Sequence, residues 1–152
     1  MDLSIAKAII VKGAGNRGKT TLIFEFIKNI LNDGGEIVMP NHYTKSEIIN
    51  KNKPSDYCMI IKYKGKNVLI MSKGDNEGEL KRQIASFIKI NITIDIVIGA
   101  ARTRGQTVWW WQGNFPKRLS FFHNNQDLKE NERAEYIKKQ LHSLKEMFNK
   151  YL

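Results

Sequence analysis

The sequence has little of what would place it in a specialised class. Its one cysteine, Cys58, rules out an intrachain disulfide and a cysteine-bound zinc cluster. A reducing, cytoplasmic setting is the simplest expectation. No apolar run approaches the ~20 residues of a spanning helix. The opening MDLSIAKAIIVKGAG passes at once from a short apolar run into lysine and glycine, unlike a signal peptide, so a soluble protein with no membrane contact is expected. Internal repeats, low-complexity stretches and linkers are missing as well. The three histidines, His42, His123 and His142, lack metal-ligand spacing. What remains is 152 residues with 41% hydrophobic positions, enough for one domain, residues 1–152, with a core of its own.

Carboxylates are also scarce: 15 Asp and Glu stand against 25 Lys and Arg, a net charge of +10. Residues 1–50 are nearly neutral, and the surplus lies in the remainder of the chain. Such a balance suits polyanions, whether nucleotide phosphates or nucleic acid, and is silent about fold.

Periodicity supplies the fold class. Residues 5–12 form a short isoleucine-rich run that ends at glycines, the pattern of a buried strand. Residues 19–33 change to helical spacing, with Leu22, Phe26, Ile27, Ile30 and Leu31 on one face and Gly34-Gly35 as the stop. A brief strand at 36–39 precedes a polar stretch with a short helix near 46–50. Residues 57–72 predict a hairpin turning around Lys64-Gly65. A helix over 79–90, a strand over 93–99, an irregular segment over 102–116 and a strand over 119–122 follow. The last element is a helix capped by Asp127, with Ile137, Leu141, Leu144, Phe148 and Tyr151 on one face. The alternation predicts a three-layer α/β domain around a mainly parallel sheet, with one antiparallel hairpin strand.

The segment Gly13-Ala14-Gly15-Asn16-Arg17-Gly18-Lys19-Thr20 fits G-x-x-x-x-G-K-[ST] at every fixed position and falls between a predicted strand and a predicted helix. Glycines let the loop turn its N–H groups inward as an anion nest, and the following helix points its positive end at the same spot. Phosphates are the expected guest, bound by residues 13–20 with Thr21 beside them. On these residues, from about 5 to 33, the chain resembles the P-loop nucleoside triphosphatases. The resemblance implies a P-loop fold, with Lys19 on the β- and γ-phosphates and the Thr20 hydroxyl on Mg²⁺.

The family also implies a carboxylate after a second strand to hold the magnesium. Asp75 is the candidate: Asp75-Asn76-Glu77-Gly78 looks like the D-x-x-G element of switch enzymes, although Ser72, Lys73 and Gly74 part it from the strand. Glu77 is an alternative for positioning the attacking water, and Thr44 for a second hydroxyl near the metal. Asp56 and Asp95 stand at strand entrances, which reads as the wrong edge of the sheet. Arg102 and Arg104, leaving a later strand, suit a charge-stabilising or acceptor-holding role. No N-K-x-D occurs, so ATP is favoured over GTP. Trp109-Trp110-Trp111, near Arg102, Arg104, Lys117 and Arg118, suit either base stacking or a core and interface role.

The expectation is therefore a Mg-ATP-binding protein that hydrolyses ATP as a switch or accessory ATPase, working as a homodimer or through a protein partner. A small nucleotide or metabolite kinase and an ATP-regulated nucleic-acid-associated module are the alternatives.

Overall fold

A strand that is apolar at consecutive positions must be covered on both faces. The computed structural model, which describes residues 1–13, 18–124 and 130–152, builds that arrangement. In chain order the elements are β1 (Lys7–Lys12), α1 (Lys19–Asn32), β2 (Glu36–Met39), α2 (Lys45–Ile49), β3 (Cys58–Tyr63), β4 (Lys66–Met71), α3 (Glu77–Ala85), β5 (Ile96–Ala101), α4 (Gln106–Asn114), β6 (Leu119–His123) and α5 (Glu130–Asn149). One sheet of order β2-β3-β4-β5-β1-β6 joins the six strands. β1 runs parallel to β5 and β6, and β4 runs parallel to β5. β3 is antiparallel to both β2 and β4, so it alone is reversed.

Alternate strand residues feed two cores. Ile9, Val11, Val68, Ile70, Ile96 and Ile98 pack with α1 and α5 on one face. Ala8, Ile10, Leu69, Met71 and Val97 pack with α3 and α4 on the other. Helix α1 buries Leu22, Ile23, Phe26, Ile27, Ile30 and Leu31. Helix α5 meets it through Leu144 and Phe148, whose ring lies edge-on to Phe26 at 4.9 Å. The hairpin turns through Lys64 and Gly65, both at positive φ, the two-residue geometry that matches strand twist. Beside the turn the Tyr63 hydroxyl donates to the Asp33 carboxylate, tying the tip of the hairpin to the end of α1.

The structure moves three expected boundaries. β5 spans 96–101 rather than 93–99, because Asp95 is spent on a turn: its carboxylate accepts the Asn67 amide at 2.8 Å and its carbonyl accepts the Lys7 amide at 3.0 Å. α3 ends at Ala85, not at residue 90. Tighter i→i+3 bonds take over beyond it, Phe87 to Ile84 and Ile90 to Phe87, so Phe87 stays buried while Ile88 is 59% exposed. Residues 102–116, expected to be irregular, contain α4. Thr107, Val108, Trp111 and Phe115 are its buried side, a helical spacing obscured by three consecutive tryptophans. The expected cap Asp127 lies outside the described residues. Among the described residues no helix is long and apolar enough to cross a membrane.

Trp111 is the largest fully buried side chain, and its fit depends on Gly99. A Cβ at Gly99 would stand 2.3 Å from the indole ring, while the indole Nε1 donates to the Ala100 carbonyl at 2.9 Å. Gly99→Ala is expected to lower stability by about 1–3 kcal/mol through overpacking, read as a lower urea midpoint at unchanged slope.

Candidate functional site

Strands β1, β4 and β5 end at one edge of the sheet, where Lys19, Thr20, Asp56, Asp75 and Arg102 come together. Leaving β1, the Gly13 amide donates to the Ala101 carbonyl at the end of β5, at 3.0 Å. Ala14, Gly15, Asn16 and Arg17 lie outside the described residues. The chain re-enters at Gly18, whose φ of 82° and close approach to Ile137 of α5 both suit the absence of a side chain. α1 then begins with no side-chain cap bond and no carboxylate in its own first turn, so the carboxylates near its positive end come from other elements.

Lys19, the first residue of α1, is only 6% exposed. Its Nζ donates to the Ala101 carbonyl at 3.2 Å and faces Asp75 Oδ1 at 3.6 Å. Burial pulls its pKa below the usual lysine value, the neighbouring Asp75 pushes it back up, and Arg102 lowers it again. Asp75 reaches this position because Gly74 lets the chain press onto β5: a Cβ there would lie 2.0 Å from the Ala100 carbonyl oxygen. Arg102 Nε donates to the Asp75 carbonyl at 3.1 Å, and the Arg102 amide donates to Thr107 Oγ1 at 3.0 Å, fastening this loop to the start of α4.

The carboxylate beside Thr20 is Asp56, not Asp75. Thr20 Oγ1 donates to Asp56 Oδ1 at 2.9 Å. Ser72 Oγ stands 3.1 Å from the same oxygen and 3.2 Å from the Tyr57 carbonyl. Its single proton goes to the carboxylate, the stronger acceptor. Asp56 precedes β3, and because β3 is reversed its entrance lies at the edge where β4 and β5 exit. The expectation that Asp56 sits at the wrong edge is thus corrected. The predicted hairpin already contained the signal, since an antiparallel strand inverts the rule for parallel ones. Asp95 is at the opposite edge, as expected.

Other expected residues fall elsewhere. Thr44 Oγ1 caps α2 by accepting the Glu47 amide at 3.2 Å, and Glu77 pairs with Lys81 at 3.2 Å along α3. Arg104 is exposed and makes no bond among the described residues, and Thr21 is half-buried in the first turn of α1. The tryptophans divide: Trp111 is core, Trp110 packs edge-on against it, and Trp109 is 66% exposed. His42 lies against Tyr43, and His142 Nε2 lies 2.8 Å from Glu146. Neither approaches a metal-binding cluster, and no group of three or more His, Cys, Asp or Glu suited to a metal occurs among the described residues.

A cavity of about 330 Å³ opens next to Asp56, between the start of β3 and α3, with Lys73, Arg82, Gln83 and Ser86 on its walls. Gln83 is buried and frames it, donating to the carbonyls of Lys73 at 2.7 Å and Glu79 at 3.0 Å. Cys58 lines the same cavity. Burial pushes its thiol up to about 12, against a smaller opposing effect of the Ser86 hydroxyl, so it is no nucleophile at neutral pH.

The chain matches no protein-family model, no curated protein and no solved structure.

Cys58 and Tyr63 are both raised to about 12, from ordinary values of 9.0 and 10.0; for Tyr63, burial comes first and Asp33 second. Above about pH 9 the unfolded chain loses protons that the folded one keeps, so stability falls as pH rises toward 12. The urea midpoint is expected to drop between about pH 8 and about pH 11. The Cys58→Ser, Tyr63→Phe double variant should flatten that slope. Lys19→Met, which removes a buried charge whose desolvation outweighs its pairing, is expected to keep or raise the thermal midpoint. A clear fall would show the lysine to be structural.

Proposed function

We propose that the chain binds Mg²⁺-ATP where β1 passes into α1 and hydrolyses it, acting as a switch or accessory ATPase. The observation that carries this reading is the start of α1. A buried lysine and a carboxylate-bonded threonine occupy consecutive positions there, in a helix turn with no negative charge of its own. In the GAGNRGKT segment these are the residues whose chemistry suits phosphate and its metal.

The residues fit magnesium. A hydroxyl and a carboxylate, Thr20 and Asp56, are the hard oxygen donors it takes. Having few protein ligands also suits an ion that keeps waters and phosphate oxygens in its shell. Thr20 would ligate it and Asp56 would orient its waters; when bound, it would neutralise charge on the phosphates. Lys19 supplies a desolvated cation, worth more to an anion than one in water. Asp75 holds that lysine from its open side, and Arg102, tied to the Asp75 carbonyl, brings a second cation to the same edge. The fold is mixed α/β with a six-stranded, mostly parallel sheet, which supports a P-loop-like reading. The lack of N-K-x-D favours adenine over guanine.

A second reading, a small kinase, draws support from the cavity next to Asp56. Its mouth shares a wall with Thr20's partner, and Lys73 and Arg82 suit an anionic acceptor.

The deciding measurement is titration with non-hydrolysable ATP and GTP analogues, with and without Mg²⁺. ATP analogue should bind in preference, and Lys19→Met should weaken binding about a hundredfold or more. Asp56→Asn should raise the magnesium needed for half-saturation about tenfold or more while leaving metal-free nucleotide binding in place. Asp75→Asn should change that magnesium requirement little. Binding that is absent, or equal in Lys19→Met, would overturn the reading. Phosphate release to water or transfer to added nucleoside monophosphates separates ATPase from kinase.

A further inference from the structure

Trp109 stands 66% exposed on α4, and its surroundings explain why it is bare. The side chains that cover a helical ring lie one turn away, at i±3 and i±4; at i±3 of Trp109 stand the exposed Gln106 and Gln112. At i±4 stand Gly105 and Gly113, and a Cβ at either would meet nothing within 4 Å. Gly105 has a φ of 96°, which accounts for the glycine at that position. Gly113 has no such reason: it is inside α4, its φ is not positive, and there is open space for a side chain. Glycine there costs the helix about 0.5–1 kcal/mol against alanine. What the missing side chain provides is an open indole face.

The segment that carries that face has charge of one sign. From residue 96 to residue 126 the chain carries no Asp or Glu, while Arg102 and Arg104 precede α4 and Lys117 and Arg118 follow it. Arg102, Arg104 and Lys117 are exposed, at opposite ends of a helix about 14 Å long with Trp109 between them. On the adjoining α3, Glu77 and Glu79 are already paired with Lys81 and Arg82. Of the ligands that join planar rings to a repeating negative charge, single-stranded nucleic acid has the matching chemistry. Bases stack on an aromatic face whatever their identity, and phosphates follow the cations.

We propose that the α4 surface binds single-stranded nucleic acid, with a base stacked on Trp109 and the backbone held by Arg102, Arg104 and Lys117. Trp109, Arg104 and Lys117 lie outside the nucleotide site, and Arg102 is shared with it.

The test is anisotropy of a labelled oligothymidylate of about twelve nucleotides with the full chain. Binding is expected to weaken about twentyfold between about 50 and about 200 mM salt, the slope of three phosphate contacts on a single strand. Trp109→Ala should weaken it about tenfold or more. Lys117→Ala should weaken it and make the salt slope shallower. Gly113→Leu is the discriminating variant: it fits open space and favours the helix, so the thermal midpoint should hold or rise while binding falls. No binding at about 50 mM salt, affinity unchanged in Trp109→Ala or Gly113→Leu, or equal binding of duplex, would overturn the proposal. So would Trp109-dependent self-association without oligonucleotide binding, which would make the face a protein interface.

Discussion

The last two carbonyl groups of β5 organise the rest of the molecule. Ala101 O accepts both the Gly13 amide and the Lys19 ammonium. Ala100 O accepts the Trp111 indole, and Gly74 presses against it closely enough to exclude any side chain. One strand end thereby fixes the exit of β1, the head of α1, the approach of Asp75 and the seat of α4. Small residues make this possible: Gly99, Ala100 and Ala101 leave room on both faces for neighbours to close in. A carbonyl carrying two lone pairs can serve two donors, so the arrangement leaves no polar group stranded.

Because β5 lies between β1 and β4, residues leaving β4 must cross a strand end to meet Lys19. Gly74 provides the close passage, and Asp75 arrives on the lysine instead of on Thr20. The carboxylate for Thr20 then comes from a different direction, through the reversed strand β3. Two carboxylates at one edge hold two different partners. Each keeps its neighbour oriented, which is what a preorganised anion or metal site requires.

Much of this was legible in residues alone. The strand ending at Lys12, the helix that starts at Lys19 and the Lys64-Gly65 turn have local signatures, and these elements lie close to where their residues put them. The short helix at 45–49 was readable too, though Thr44's hydroxyl proved to be its cap. The edge assignments were harder. A rule for parallel strands puts Asp56 at the wrong edge, whereas strand direction is a tertiary property, set here by pairing with β2 and β4. α4 was hidden because Trp109, Trp110 and Trp111 are alike in sequence but fully different in burial. Only the packing of Trp111 against Gly99 distinguishes them.

That division of three like residues shows how the two ends of α4 are coupled to the sheet. Trp111 pins the helix to Ala100 through its indole N–H, and Thr107 pins its start to the Arg102 amide. With both anchors on the inner side, the outer side is free of structural duty, and the chain places there an exposed indole, two glycines and unpaired cations. Arg102 alone belongs to both sides: its amide serves α4 and its guanidinium holds the Asp75 carbonyl beside Lys19. A shift in Arg102 therefore bears on the loop that carries Asp75 and on the helix that carries Trp109, through bonds of about 3 Å at each step.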